Sequence, residues 1–302
     1  MIKLRNRENV AYVNCNLCGA DDFKIVFPAG YAQLHRIVRC KRCNLMYANP
    51  QELIDAEEFE GVEDLPPSDD PSFAQYLQKQ HVQLPDNLRA LRKLNGYLPK
   101  RGKLLEIGSY MGIFANEIRN SGWDITCLEP FRAAVKYSRE KFKLNVIEGV
   151  LPQPSLADGS FDAAMLVHVI EHMPDPGQNV AEIRRLLKPG GMLVVETPRF
   201  DSLMFKLMGR RERSISITNG HIYFFTVPTL TKLLEKHGFE ITSVDLVGRT
   251  LTADRFIGNI GVMLRNPKAH GWLSRMSRKL KLNKIVFHVN VRDMQRIYCR
   301  AK

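Results

Sequence analysis

The sequence lacks any apolar run approaching the ~20 residues that a membrane-spanning helix needs. Its N-terminus, MIKLRNRENVAYVNC, is charged and has no apolar core of the kind a secretory signal requires. A cytoplasmic location is therefore expected, where disulfides are rare and six cysteines point to thiols or metal ligands. Internal repeats and low-complexity tracts are also missing. Acids are in short supply: 32 Asp and Glu face 44 Lys and Arg, for a net charge of +12. Residues 51–70 hold nine of those acids and no base, so the rest of the chain carries +21. Such a balance suits phosphate, anionic lipid or an acidic substrate without choosing among them.

What is present has the composition of an ordinary globular protein, 44% hydrophobic and 25% charged, and 302 residues can bury a full α/β core. Residues 1–50 have little helical periodicity and contain four of the cysteines. Residues 51–72 read as an acidic linker containing Pro66, Pro67 and Pro71. From Phe73 to Leu98 the apolar spacing is helical but broken near Pro85, which leaves Asn87–Leu98 as the helix that leads into the core. A regular alternation follows. Strands are expected at Lys103–Gly108, Asp124–Glu129, Asn145–Glu148, Phe161–His168 and Met192–Thr197. Helices are expected between them at Gly112–Asn120, Phe131–Phe142 and Pro176–Leu187. This order argues for βαβ units and a parallel sheet. A helix over Pro228–His237 and strands over Phe239–Val247 and Asp293–Ala301 complete the pattern, with a basic helical insertion near 249–290.

The run Leu104-Leu105-Glu106-Ile107-Gly108-Ser109-Tyr110-Met111-Gly112 reads as a strand, a tight turn and a helix start. A nicotinamide fingerprint would need glycine at 108, 110 and 113, and this chain has Tyr110 and Ile113. Two carboxylates carry more information. Glu106 ends the first strand, where an acid can hold a cationic ligand group or loop amides. Glu129 ends the second, 21 residues after Gly108, where a carboxylate can accept both hydroxyls of a ribose.

These residues, together with Leu128-Glu129-Pro130, Phe161-Asp162, the segment His168 to Pro176 and Leu187-Lys188-Pro189-Gly190-Gly191, resemble class I methyltransferases over roughly residues 88–247. Tyr110 stands where many of those relatives carry glycine. The resemblance implies a Rossmann-like seven-stranded α/β sheet with helices on both faces, occupying 73–302, and S-adenosylmethionine as cofactor. It places Glu106, Gly108, Ser109 and Gly112 along the methionine and turn region, Glu129 on the ribose, and Gly149 and Val150 beside the adenine. His168 lies at the end of the fourth strand, where open α/β sheets bind their ligands.

Cys15-Asn-Leu-Cys18 and Cys40-Lys-Arg-Cys43 are two knuckles separated by 21 residues, a spacing that suits tetrahedral Zn²⁺ in a zinc ribbon over residues 1–50. Gly19 and Asn44 follow the knuckles in matching places and tolerate a turn. A redox role for C-x-x-C is the alternative. Two pairs favour a closed, structural metal site. The segment Cys40 to Pro50 resembles the ribbon that precedes a bacterial branch containing sugar C-methyltransferases and enzymes of polysaccharide or natural-product clusters. Cys127 and Cys299 sit in apolar strand contexts and read as core.

The acceptor side is less determined. Candidate bases are His168, Glu171, His172 and His221, with His172 and His221 the preferred catalytic pair. His168 and His172 are four apart, which puts them on one face if a helical turn has begun there, and His172 could face the acceptor or simply pack against neighbouring loops. His221 lies in a segment resembling one that crosses the active-site mouth in the sugar C-methyltransferases. Those enzymes have Glu and Tyr where this chain has Gly220 and Thr218. O-methylation of a small-molecule, sugar or glycan hydroxyl is therefore the preferred reading, with sugar C-methylation as an alternative. Trp272, Leu273, Met276 and Leu280 fall on one helical face, with Arg275, Arg278, Lys279 and Lys281 mostly on the other. Such a helix can pack as an ordinary surface element, cover an anionic or lipid-linked substrate, or lie peripherally on the inner membrane face. Arg210, Arg211 and Arg213 form a second basic cluster. An RNA methyltransferase is the second class, disfavoured because the ribbon has few bases and an acidic linker follows it. A non-catalytic binding protein is the third, disfavoured by the retained Glu106, Gly108 and Glu129.

Overall fold

The computed structural model describes residues 10–30, 35–52, 71–212, 215, 220–263, 271, 275–277 and 279–302. The acidic stretch beyond Glu52, Arg213, and Trp272, Leu273 and Arg278 of the basic stretch lie outside them.

The central strands are apolar on both faces, which makes them core strands of a sheet covered on both sides. They are β6 (Lys103–Ile107), β7 (Asp124–Glu129), β8 (Val146–Glu148), β9 (Phe161–Val167) and β10 (Leu187–Pro198). With β12 (Phe239–Thr252) and β13 (Val286–Ala301) they form one seven-stranded sheet in the order β12-β13-β10-β9-β6-β7-β8. The neighbours from β10 to β8 are parallel, and β13 is antiparallel to both of its partners. This is the expected Rossmann-like class, with one reversed strand.

Side chains alternate across the sheet, so each strand feeds two cores. Leu104, Ala163, Met165 and Val194 pack toward α1 (Pro71–Tyr97) and α2 (Ile113–Asn120), against Ala90, Leu91, Leu94, Phe114 and Ile118. Leu105, Ile107, Ala164, Leu166 and Val195 face the other way. There they meet Val180, Ile183 and Leu186 of α4 (Pro176–Leu186) and Leu230, Leu233 and Leu234 of α6 (Val227–Lys236). Between α2 and α4, the helix α3 (Arg132–Phe142) follows β7, and a short α5 (Leu203–Met208) follows β10. Asp175 caps α4 by accepting the Gln178 N–H, and Thr226 and Thr229 cap α6 reciprocally.

Three expectations need correction. First, α1 runs unbroken through Pro85. Pro85 is exposed, so the hydrogen bond it forgoes lies on the solvent side while Ala90, Leu91 and Leu94 hold the helix to the sheet. Second, the region near 249–290 is not helical at its edges. β12 and β13 continue as a hairpin to Thr252↔Val286, and α7 (Ala253–Met263) follows β12. Asp86 of α1 fixes this hairpin by accepting Thr250 Oγ1 at 2.9 Å, and it lies 3.2 Å from His288 Nδ1. Third, His168 and His172 do not share a helical face: His168 has φ +60°, and only Ile170–His172 form a 3₁₀ turn.

The N-terminal segment supplies β2 (Phe23–Phe27), β3 (Ile37–Cys40) and β4 (Met46–Ala48), after a short β1 (Val10–Ala11) that pairs with β5 (Gln51–Glu52). Its sheet gains a fourth strand from far along the chain, β11 (Tyr223–Phe224), which pairs with β4 at Tyr223↔Tyr47 and Phe224↔Met46. Tyr47 and Tyr223 stack at 6.3 Å, and Lys236 Nζ donates to Leu17 O at 2.9 Å. Cys15, Leu17, Cys40 and Tyr47 belong to the same core as Leu105 and Leu166. Among the described residues no helix is long and apolar enough to cross a membrane.

Candidate functional site

Among the described residues the glycine turn, the buried carboxylates and the clustered histidines gather at the C-terminal ends of the parallel strands, where a helix-flanked sheet leaves a crevice. After β6 the backbone is left-handed at alternate positions, with φ +76° at Gly108, +48° at Tyr110 and +73° at Gly112. Space as well as φ demands the two glycines. A Cβ at Gly108 would lie 2.5 Å from Val169 Cγ2, and one at Gly112 would lie 2.7 Å from Leu144 Cδ1. Tyr110 takes a conformation that costs a β-carbon residue about 1–2 kcal/mol. It is held there by two bonds: its N–H donates to Glu129 Oε2 at 2.6 Å, and its carbonyl accepts from Ser138 Oγ at 3.1 Å.

Glu129 is buried at the end of β7, and its other oxygen accepts the Phe131 N–H at 3.1 Å. Gly149 donates its N–H to the Glu129 carbonyl at 3.1 Å, which puts Gly149 and the exposed Val150 on the same rim. Ser109 is buried in the turn. Glu106 is buried on the neighbouring strand, and its Oε2 has no hydrogen-bond partner among the described residues. Burial, reinforced by the charge of Glu129, pushes its carboxyl up to about 8. The structure thus brings Glu106, Gly108, Ser109, Gly112, Glu129, Gly149 and Val150 to one rim.

The next strands carry a second cluster. His168 follows β9 and donates its N–H to Glu196 O at 2.9 Å. The 3₁₀ turn after it presents Glu171 inward and His172 outward, and Ile222 N–H binds the Glu171 carbonyl at 2.9 Å. His221 is buried beside them, its ring 4.6 Å from that of His172 in an edge-to-face arrangement. The two expected bases therefore meet although 49 residues separate them.

Sequence reasoning weighed Glu171 only as a base and did not place Glu196. Glu171 is wholly buried, with His168 Nδ1 and His221 Nε2 each 3.8 Å from Oε1. Burial pushes this carboxyl up, but the imidazoles of His168, His221 and His172 outweigh it and hold the group down to about 2. Glu196 Oε1 lies 3.8 Å from His168 Nε2, and Oε2 accepts from Arg296 Nε at 2.5 Å. The signal in the sequence was the i, i+3 spacing of His168 and Glu171, which a tight turn brings face to face. A small cleft opens beside His168, lined by polar residues that include Gln83, Asn87, Glu196, Arg249 and Arg255.

The four N-terminal cysteines converge as well. Cys15 and Cys43 Sγ lie 3.3 Å apart, Cys18 and Cys40 Sγ 3.5 Å apart, and all four sulfurs fall within 4.8 Å of one another. Each knuckle closes on a backbone bond, Gly19 N–H to Cys15 O at 2.7 Å and Asn44 N–H to Cys40 O at 3.0 Å. Gly19 and Asn44 are left-handed, φ +74° and +66°, as their matching places in the sequence led one to expect. Burial pushes the Cys15 thiol up and raises Cys43 to about 11. At Cys40 burial is outweighed by the amides of Cys43 and Arg42, and the thiol is lowered. Cys127 and Cys299 are buried core residues.

Comparison with known proteins places this geometry among relatives. A family model described as a methyltransferase domain matches residues 76–244. A probable S-adenosylmethionine-dependent methyltransferase from Mycolicibacterium smegmatis is 30% identical over 139 residues, 46% of this chain and 52% of that protein. A ubiquinone biosynthesis O-methyltransferase from Vibrio parahaemolyticus is 26% identical over 170 residues, 52% of this chain and 70% of the relative. Another such enzyme, from Alkalilimnicola ehrlichii, is matched over 47% of its length, so the chain spans about half of several relatives. Among solved structures, a methyltransferase from Thermotoga maritima, described as a possible histamine N-methyltransferase, superimposes with a TM-score of 0.52 at 24% identity. That match covers 76% of this chain and 95% of the other, and it speaks to the fold.

Proposed function

This chain belongs to the methyltransferase-domain family, and from that membership we propose that it methylates a hydroxyl of a small molecule, sugar or glycan with S-adenosylmethionine as donor. The donor supplies an electrophilic methyl group on sulfur. The rim fits such a group: an orphaned buried carboxyl at Glu106, a turn whose glycines leave no room for a β-carbon, and a carboxylate fixed at Glu129. In this reading Glu106, Gly108, Ser109 and Gly112 line the methionine part, Glu129 takes the ribose and Gly149 with Val150 flanks the adenine. His168 stands between donor and acceptor.

His172 is the proposed base and His221 its neighbour. Nδ1 of His172 lies 3.2 Å from the Gly220 carbonyl, which can only accept, so Nδ1 carries the hydrogen and Nε2 keeps its lone pair. Protein packed around the rest of the exposed ring lowers its pKa, which favours the neutral, proton-accepting form at neutral pH. The observation that carries the choice of acceptor is the cleft beside His168, whose lining offers amides, carboxylates and guanidinium groups and no apolar side chain. That suits a hydroxyl-rich acceptor, including an anionic or lipid-linked one covered by the basic stretch after β12. The ubiquinone biosynthesis O-methyltransferases among the relatives support O-methylation of a small molecule.

The quartet Cys15, Cys18, Cys40 and Cys43 would hold a structural Zn²⁺. Four sulfurs at this separation fit one tetrahedral ion, and the raised thiols of Cys15 and Cys43 would ionise on binding it. The ribbon's resemblance to the polysaccharide and natural-product branch supports the same acceptor class.

The reading is tested by offering labelled donor with nucleotide sugars, lipid-linked glycans, quinol precursors and rRNA. Label on a sugar or small-molecule oxygen is the expected result; label on rRNA, on carbon, or on nothing overturns it. A second expectation concerns Glu106. At pH 7 its carboxyl, near 8, is mostly protonated, and a cationic amino group held against it lowers that value. Binding of S-adenosylhomocysteine is thus expected to release about one proton. Calorimetry at pH 7 in buffers of differing ionisation heat measures this. Release should vanish in Glu106→Gln, and its absence in the unaltered protein rules out the contact.

A further inference from the structure

We propose that Glu171 is a positioning residue of the transfer, its buried carboxylate fixing His221 and balancing the positive charge that His172 acquires with the acceptor's proton. The inference rests on the reading of His172 as base.

Glu171 is wholly buried, and neither of its oxygens has a hydrogen-bond partner among the described residues. Water is excluded from it, and a charge so placed is costly unless an opposite charge arrives. The groups around it are imidazoles from three directions: His168 Nδ1 and His221 Nε2 at 3.8 Å, and His172 as its chain neighbour. Those 3.8 Å separations are too long for hydrogen bonds in this resting arrangement. They leave room for contraction when an imidazole becomes charged. The main chain prepares this, because the Glu171 carbonyl binds Ile222 N–H and the Gly220 carbonyl faces His172 Nδ1. One short turn and one loop thereby hold base, neighbour and carboxylate together. The groups acting on His172 are Glu171, His168 and His221 beside it and Lys79 of α1 across from it. His168 and Lys79 oppose protonation, and Glu171 favours it.

The step balances as follows. The acceptor O–H bond breaks with its proton passing to His172 Nε2, the oxygen's electron pair forms the bond to the methyl carbon, and the carbon–sulfur pair remains on sulfur. His172 then returns the proton to water. A carboxylate close to the imidazolium stabilises the charge that develops, as the third member of a nucleophile–base–acid chain does.

Glu171→Gln keeps the shape and removes the charge. Loss of that charge lowers the pKa of His172, so the rising limb of the kcat–pH profile is expected to move to lower pH, and the plateau to fall about 100-fold or more. Affinity for S-adenosylhomocysteine should stay unchanged. Glu171→Asp, which keeps the charge, should restore part of the rate and return the limb toward its original position. NMR titration of the His172 ring in the same variants reads the coupling without any acceptor, so it stands even if the hydroxyl acceptor assignment fails. A His172 titration unmoved in Glu171→Gln overturns the proposal. So does activity that disappears on chelation and returns with a divalent ion while the ribbon metal is retained, since Glu171, His172 and His221 would then be ligands of that ion.

Discussion

Replacing Cys40 with serine is expected to remove metal from the N-terminal quartet, unfold residues 10–52 and abolish methyl transfer while leaving donor binding largely in place. A Cys₄ zinc site contributes an apparent ~10–16 kcal/mol, comparable with or larger than the net stability of a whole domain, ~5–15 kcal/mol. The segment's own strands add little, since β3 and β4 are only four and three residues long. The effect does not stop there. β4 pairs with β11, and Ala48 N–H donates to Ile222 O at 2.8 Å, so losing the ribbon releases the strand that follows His221. The rim proposed for the donor is built on β6, β7 and β8, which among the described residues pair with no strand of the N-terminal sheet. Metal analysis should find one zinc per chain in the unaltered protein and none in Cys40→Ser. Limited proteolysis should cut the variant N-terminal to Glu52, and calorimetry should still detect S-adenosylhomocysteine binding. An unaltered protein that is folded and free of metal removes the basis for all of this.

Replacing Glu129 with alanine is expected to weaken S-adenosylhomocysteine binding by about 100-fold or more. Two hydrogen bonds from a ribose to a charged acceptor contribute about 1.5–3 kcal/mol each. The same side chain also accepts the N–H groups of Tyr110 and Phe131, so its removal takes away both bonds and loosens the left-handed turn at Tyr110. Glu129→Gln separates the two effects. It keeps the bulk and one accepting oxygen, so it should lose most of the affinity but less of the thermal stability than Glu129→Ala. Binding unchanged in both variants would move the ribose elsewhere.

The rim proposed for the donor could be picked out of the sequence as a group because each of its residues acts through a local property. Gly108 and Gly112 are needed for φ and space, and Glu106 and Glu129 end strands whose apolar periodicity announces them. The cysteine quartet was legible for the same reason, with two short spacings and matched turn residues. The fusion of ribbon and sheet was not legible, because Tyr223-Phe224 is too short a strand to show a period and its partner lies 176 residues away. Pro85 misled because a proline on the exposed side of a well-packed helix costs less than the packing returns. The long hairpin between Arg249 and Val289 was hidden by bulges where the pairing register shifts, which blur the alternation a strand should display. Glu171 was considered only for its own chemistry, since a sequence does not say that one buried carboxylate serves two imidazoles.

The antiparallel pair formed by β4 and β11 bears on inheritance and on engineering. Recombination that exchanges only the first fifty residues between relatives would separate Tyr47 from Tyr223 and Met46 from Phe224, and so mismatch a sheet whose two halves are encoded far apart. Chimeras should therefore work only when the segment around residues 220–226 travels with the N-terminal strands, so that both halves of the shared sheet are transplanted as one cassette.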